Sequence, residues 1–340
     1  MPTGKAAINL QVIEIMKKLL PLAILLGAMG AAHAELAVYG LVDLSYGKNE
    51  NFDNRGARLH SGGEGDTGSG GGNFGNSTSR IGLKGGMDIG SGLKANFKLE
   101  TGGIDDDLRI GKENKTFFRR QAWAGLSGGF GEVRFGRQDS VPFQMMGAYD
   151  FNGMSNAASA LGNSGVAVWG TGRQTQSLQY ISPSMNGFTA QVGFAGKEDG
   201  VNNAKQATSA GLTYAAGKFS VSVAAESKRV EGDQSFAGVA GSYDFGVVKV
   251  MAGYADGFYG TNWKGPSVGF VAPVAGFNVG MHYGKNNETK DDATEFFVNR
   301  EIYKNTYAYI DYGNTDKNVG PSKKAYALGV IYVFELPILK

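Results

Sequence analysis

The sequence predicts an all-β chain whose strands close into a transmembrane antiparallel barrel of about sixteen strands. Three observations lead there: segments of every-other-residue polarity, breaks that alternate between short and long, and the lack of any sustained 3.6-residue period.

Composition narrows the class first. The 340 residues are 42% hydrophobic, enough for a large fold, but the apolar material is spread thinly. Beyond one stretch near the N-terminus, no run approaches the roughly 18 apolar residues of a membrane helix, which excludes helical spanning. With no Cys, neither disulfides nor thiolate metal sites are available, so backbone hydrogen bonding and packing must hold the fold. A closed barrel supplies that network.

The N-terminal apolar stretch reads as an export signal. Lys17 and Lys18 form its basic region, Leu19 to Met29 its apolar core, and Ala32-His33-Ala34 a small-residue cleavage site that would leave Glu35 first. Met16 followed by two lysines reads as the natural start, with residues 1–15 an over-extended gene start. The expected organisation is therefore 1–34 extension and signal, 35–334 barrel, and 335–340 an atypical tail. The formal charge of +2 falls to zero once Lys5, Lys17, Lys18 and Glu14 leave with the signal region, so no basic surface points to nucleic acid.

From Glu35 onward one theme repeats. Leu93, Ala95, Phe97 and Leu99 alternate with Lys94, Asn96, Lys98 and Glu100. Phe188, Ala190, Val192 and Phe194 alternate with Thr189, Gln191 and Gly193, and Phe219, Val221 and Val223 with Ser220 and Ser222. Tyr326, Leu328, Val330, Tyr332 and Phe334 form the last stripe. A soluble sandwich would show the same alternation, so the connections discriminate. Short glycine-bearing breaks alternate with longer polar loops near 47–79, 101–117, 138–174, 195–208, 227–235, 256–265, 284–292 and 313–323. That rhythm fits one rim facing outward and one facing the periplasm. The segment Ala293 to Glu301 alternates poorly. Aromatic residues near segment ends, Tyr39, Tyr46, Trp123, Tyr180, Tyr243, Tyr254, Tyr283, Tyr309, Tyr312 and Tyr332, suit interfacial girdles.

Several motifs stand in a characteristic order: Val38-Tyr39-Gly40-Leu41-Val42-Asp43, Ser79-Arg80-Ile81-Gly82-Leu83-Lys84-Gly85, Leu93 to Glu100, and Arg120-Gln121-Ala122-Trp123-Ala124-Gly125-Leu126-Ser127. Phe135-Gly136-Arg137-Gln138 and Tyr180-Ile181-Ser182-Pro183 follow. This set resembles the trimeric general porins of β-proteobacterial and neisserial type, strongly to about residue 194. The resemblance implies a sixteen-stranded outer-membrane barrel, a homotrimer, and a third loop folded into the lumen as its constriction. It also implies passive diffusion of small hydrophilic solutes, and delivery by the β-barrel assembly machinery. The third loop is expected from Asp139 to about Gly172. The chain departs from the family twice. Phe334 is followed by Glu335-Leu336-Pro337-Ile338-Leu339-Lys340 where an aromatic residue usually ends the last strand, and Pro337 is not expected to extend a ladder. The third loop holds only Asp139 and Asp150 as carboxylates.

Parity predicts the pore lining, because an Arg on the lipid face at mid-membrane costs roughly 2–4 kcal/mol. Arg80, Lys84, Lys94, Lys98, Glu100, Glu132 and Arg134 should then face inward. Arg119 is preferred to its neighbour Arg120 if Leu126 meets lipid. Arg80, Arg119, Arg134 and Arg173 are expected to form a basic wall faced by Asp150, giving an anion-preferring lumen. Alternatively these arginines pair with wall acids and only stiffen the barrel.

Weaker signals carry little. Gly63-Glu64-Gly65-Asp66-Thr67-Gly68 matches a nucleotide-loop pattern without the strand and helix it needs, and reads as a flexible loop. Asp105-Asp106-Asp107 reads as a solvated loop run, and His60 and His282 stand too far apart in sequence for a metal cluster. Neither enzyme chemistry nor a cofactor is expected of such a barrel. The competing reading is a barrel acting chiefly as an adhesin, receptor or enzyme.

Overall fold

The computed structural model describes residues 34–52, 56–61, 74–102, 117–154 and 156–339. The expected signal, the Gly63–Gly68 motif and the Asp105–Asp107 run lie outside them. Seventeen strands follow in order: β1 (Ala34–Asn49), β2 (Arg58–His60), β3 (Arg80–Gly90), β4 (Leu93–Gly102), β5 (Gln121–Gly128) and β6 (Gly131–Asp139). Next come β7 (Arg173–Ile181), β8 (Phe188–Ala195), β9 (Ala207–Ala216), β10 (Phe219–Glu226), β11 (Phe236–Asp244) and β12 (Lys249–Asp256). The last are β13 (Lys264–Val274), β14 (Phe277–Lys285), β15 (Asp292–Tyr303), β16 (Thr306–Asp316) and β17 (Lys323–Leu339).

Sixteen of these make a closed antiparallel barrel in which each strand pairs with its sequence neighbours and β1 pairs with β17. The short β2 continues the line of β3 along β1, setting Leu59 beside Tyr46. Closure leaves no unpaired sheet edge around the ring, which is how a strand-built fold satisfies its backbone away from water.

The two faces separate as alternation requires. Leu212, Val223, Val239 and Tyr254 stand side by side across β9 to β12, all exposed. Phe135, Ile310 and Leu328 extend this apolar outer belt, each more than half exposed. Opposite parity carries Thr213, Ser222 and Glu226 on one part of the wall, and Asp43, Glu295 and Asp311 on another, all but Thr213 buried. Short turns join β3–β4, β5–β6 and their counterparts at one rim, and the longer connections lie at the other.

Three features differ from the sequence reading. The final strand does not stop at Phe334: Leu336 pairs with Val38 and Pro337 with Ala37. Pro337 is tolerated because the register shifts there, between Leu36 and Ala37, and because β16 pairs with β17 only as far as Tyr332. It thus combines a bulge with a free flank, the two places a strand admits proline. The poorly alternating segment is a full strand, β15, in which Ala293 and Phe297 take the polar-face parity beside Glu295 and are buried there. Finally, Tyr39, Trp123 and Tyr309 leave the expected girdle and point inward, where the Tyr39 hydroxyl donates to Glu100 at 2.8 Å and that of Tyr309 to Asp43 at 2.7 Å.

Candidate functional site

The longest connection between barrel strands that is described almost throughout runs from β6 to β7 over residues 140–172. Its neck is closed by backbone and side chain together: the Ser140 amide donates to the Gly172 carbonyl at 2.8 Å and its hydroxyl to that of Thr171 at 2.6 Å. Two short helices follow, α1 (Val141–Met146) and α2 (Ala160–Ser164). Ser140 caps α1 by accepting from the Phe143 amide, with proline in the first turn, and Ser159 caps α2. Gly165 ends α2 in the left-handed region at φ 77°, against the Trp263 ring.

This segment packs on the polar face of the wall, in a seat made by absent side chains. Gly193, Gly211, Gly238, Gly253, Gly284 and Gly313, on β8, β9, β11, β12, β14 and β16, each share the parity of inward residues. A Cβ at these positions would meet, in turn, Val141, Met145, the Val168 carbonyl with Met146, Val168, Ser164 with Val166, and the Ala158 backbone. The seat is apolar in the middle: Val141, Met146, Leu161, Val168 and Trp169 are buried with Phe236, Met251, Ala255 and Ala293 of the wall. This inward apolar cluster explains why β15 alternates poorly.

Polar anchors flank it. Asn152 Nδ2 donates to Glu295 at 2.7 Å and to Asp311 at 3.0 Å, while its Oδ1 accepts from Asn76 at 3.0 Å. Glu295 also accepts the Ala160 amide at 3.0 Å, and His282 Nε2 that of Phe151 at 3.2 Å. Asp150 belongs here: fully buried, it receives the Asn152 amide at 3.0 Å and lies 3.9 Å from His282. It does not face the arginines. Among the described residues no group of acids and histidines is arranged to hold a metal ion.

The basic residues gather on β3 to β7. Arg120 Nε bonds Glu100 at 2.7 Å, Lys98 stands 3.9 Å from the same carboxylate, and Arg173 pairs with Asp139 at 3.2 Å. Arg80 lies within electrostatic reach of Arg120, Glu100 and Asp139, and Arg173 within reach of Arg120 and Arg137. Among the described residues Arg80, Lys98, Arg120 and Arg173 thus gather around two carboxylates, Glu100 and Asp139, with Arg137 beside them. Arg120 enters the group rather than Arg119, whose carbonyl accepts from Arg137 Nε. The strand begins only at Gln121, so its parity does not extend back through the bend at Arg120. Arg134 stands apart, bonded to Glu132 at 2.6 Å and to Gln144 of α1 at 3.2 Å, over the Trp123 ring. Lys84 lies toward the short-turn rim, bonded to Glu335 at 2.7 Å. Arg120, Arg137 and Asp139 were missing from the expected wall, although all three flank or end predicted strands.

A family model for Gram-negative porins matches residues 22–332. The chain belongs to the Gram-negative porin family. Among its relatives, an outer membrane porin protein of Bordetella pertussis is 31% identical, covering 72% of this chain and 71% of the relative. Outer membrane porin protein 32 of Delftia acidovorans is 35% identical, with 69% and 68% covered. The anion-selective porin from Comamonas acidovorans superposes with a TM-score of 0.69 over 88% of this chain and all of that one, at 23% identity. This porin therefore resides in the outer membrane and forms a channel there; its relatives are channels rather than enzymes.

The glycine seat gives the porin a testable property. In Gly238→Val even the first added carbon would lie 2.9 Å from the Val168 carbonyl oxygen and 3.3 Å from Met146 Sδ. Such overpacking costs typically 1–3 kcal/mol. The expected result is a lower unfolding temperature and, with the segment displaced from its seat, a lower single-channel conductance in a planar bilayer.

Proposed function

We propose that this porin is an anion-preferring, trimeric diffusion channel whose constriction lies between the third loop, residues 140–172, and the arginine-rich wall. The carrying observation is a segregation of charge. Among the described residues, Arg80, Lys98, Arg120 and Arg173 outnumber Glu100 and Asp139 on one side, while Asp43, Asp150, Glu295 and Asp311 are buried among the anchors on the other.

Guanidinium groups stay charged at any physiological pH. Their field is weakly screened in an opening no wider than the Debye length of about 8 Å at physiological salt. Carboxylates hydrogen-bonded behind the loop contribute less to the field in the opening than carboxylates facing it would. Transport needs no covalent step: the lumen replaces hydrocarbon by water, and pore width and lining charge do the filtering. The third loop supplies bulk where the lumen must narrow, which accounts for a connection of this length in a compact barrel. The preference named for the Comamonas porin points the same way.

Reversal potentials of the detergent-extracted porin across a KCl gradient test the reading. A potential of the sign set by chloride is expected, and one set by potassium overturns it.

A further inference from the structure

The continuation of β17 past Phe334 carries a charge into the channel mouth. Glu335 has the parity of the inward Ala325 and Ala327, and its carboxylate lies 2.7 Å from Lys84 Nζ, with both side chains roughly half exposed. Together with Lys94, Lys98, Trp123 and Glu132 they line a cavity of about 760 Å³ at the short-turn end. Lys94 there is matched likewise, by Glu35 of β1 at 2.8 Å. In this cavity Lys84 and Lys94 are thus each matched by a carboxylate, whereas among the described residues the arginine wall keeps an excess of cations.

We propose that Glu335 is a selectivity-determining residue: it cancels the field of Lys84 at the short-turn mouth, so that the arginine wall alone sets the anion preference. An exposed pair of this kind adds little to stability, since water and salt screen it. Its effect on a passing ion is different in kind, because that ion samples the sum of the two charges. With Glu335 present the sum is near zero, and without it a lysine cation stands bare in the permeation path. The position requires the strand to run on beyond Phe334, and Pro337 sits at the bulge that allows this.

The test is the anion-to-cation permeability ratio of the intact porin in planar bilayers. Glu335→Gln keeps the shape of the side chain and removes its charge. At about 10 mM salt, where the Debye length is about 30 Å, it should raise the ratio roughly twofold, and at about 1 M, with a Debye length of about 3 Å, the increase should vanish. The swap Lys84→Glu with Glu335→Lys restores the pair and should return the wild-type ratio. An unchanged ratio for Glu335→Gln at low salt, in protein that still conducts, overturns the proposal. So does a swap variant that departs from wild type as far as Glu335→Gln does. The result is independent of the constriction: a cation-preferring wild type would defeat the anion reading, yet the Glu335→Gln shift toward anions would still be legible.

Discussion

Replacing Arg80, Arg120 and Arg173 together by glutamine is expected to lower the anion-to-cation permeability ratio by roughly tenfold, equivalent to about 1.4 kcal/mol of ion selectivity. The reason is arithmetic of charge in a narrow space. Among the described residues the wall would keep Lys98 beside Glu100, with Asp139 nearby, which removes its excess of positive charge. The variant also strands two carboxylates. Breaking a buried ion pair by removing one partner costs roughly 3–5 kcal/mol, and less here because Glu100 keeps the Tyr39 hydroxyl and Asp139 keeps Gln121 Nε2 at 2.6 Å. Adding Glu100→Gln to the triple variant separates the two effects: stability should recover in part, and the ratio should move back toward anions. A triple variant that conducts with wild-type selectivity would show that the arginines serve only the wall.

The second large effect is expected from Asn152→Leu. One side chain ties Glu295 and Asp311 of the wall to Asn76 of the first loop, through contacts of 2.7, 3.0 and 3.0 Å. Leucine fills much the same space with no donor. Each buried polar group left without a partner costs about 1–3 kcal/mol, more when charged, so a loss of roughly 3–5 kcal/mol falls on the docking of the third loop. The barrel hydrogen bonds are untouched, so circular dichroism should still report native strand content. Open-channel current noise should rise, and liposome swelling should admit larger neutral sugars. Asn152→Asp should act in the same direction and at least as strongly, since it places a third carboxylate beside Glu295 and Asp311. Swelling rates equal to wild type in both variants would mean that the loop is held by its apolar seat alone.

The barrel was legible wherever one face met lipid and the other met polar surroundings. Alternation located β4, β8 and β10 because their outward residues are apolar and their inward ones mostly polar or small, and β17 because its outward stripe of Tyr326, Leu328, Val330 and Tyr332 faces mostly small residues at inward parity. It failed at β15, where Phe297 and Ala293 face inward onto packed neighbours: the rule of polar-in holds for a wet lumen and lapses where protein fills it. The same reason took Tyr309 and Tyr39 out of the girdle, since a tyrosine that ends on a buried carboxylate is a hydrogen-bond donor first. Arg120 was missed because strand parity does not pass through a bend. Asp150 was assigned to the wrong partner because a single sequence does not say which wall a loop residue meets. The helices of the third loop left a faint trace, Ser140 before Pro142 and Ser159 before Gly165, too short to register as a period. The clearest unread signal was glycine at inward parity on six strands, a pattern with no purpose in an open lumen.

The glycines at those six positions also determine how this channel can be resized. Because the recess is formed by omitted side chains, the hydrogen-bond ladder of the wall runs through it unbroken, and a plug can be accommodated without weakening the tube. On the proposed constriction, a methyl group added at one recess position would act as a shim, lifting the segment toward the opposite surface and reducing the bore. Trimming Met145 or Val168 would let it sink and widen the passage. Aperture is thereby open to change from either side of one contact while the hydrogen-bond ladder of the wall stays intact.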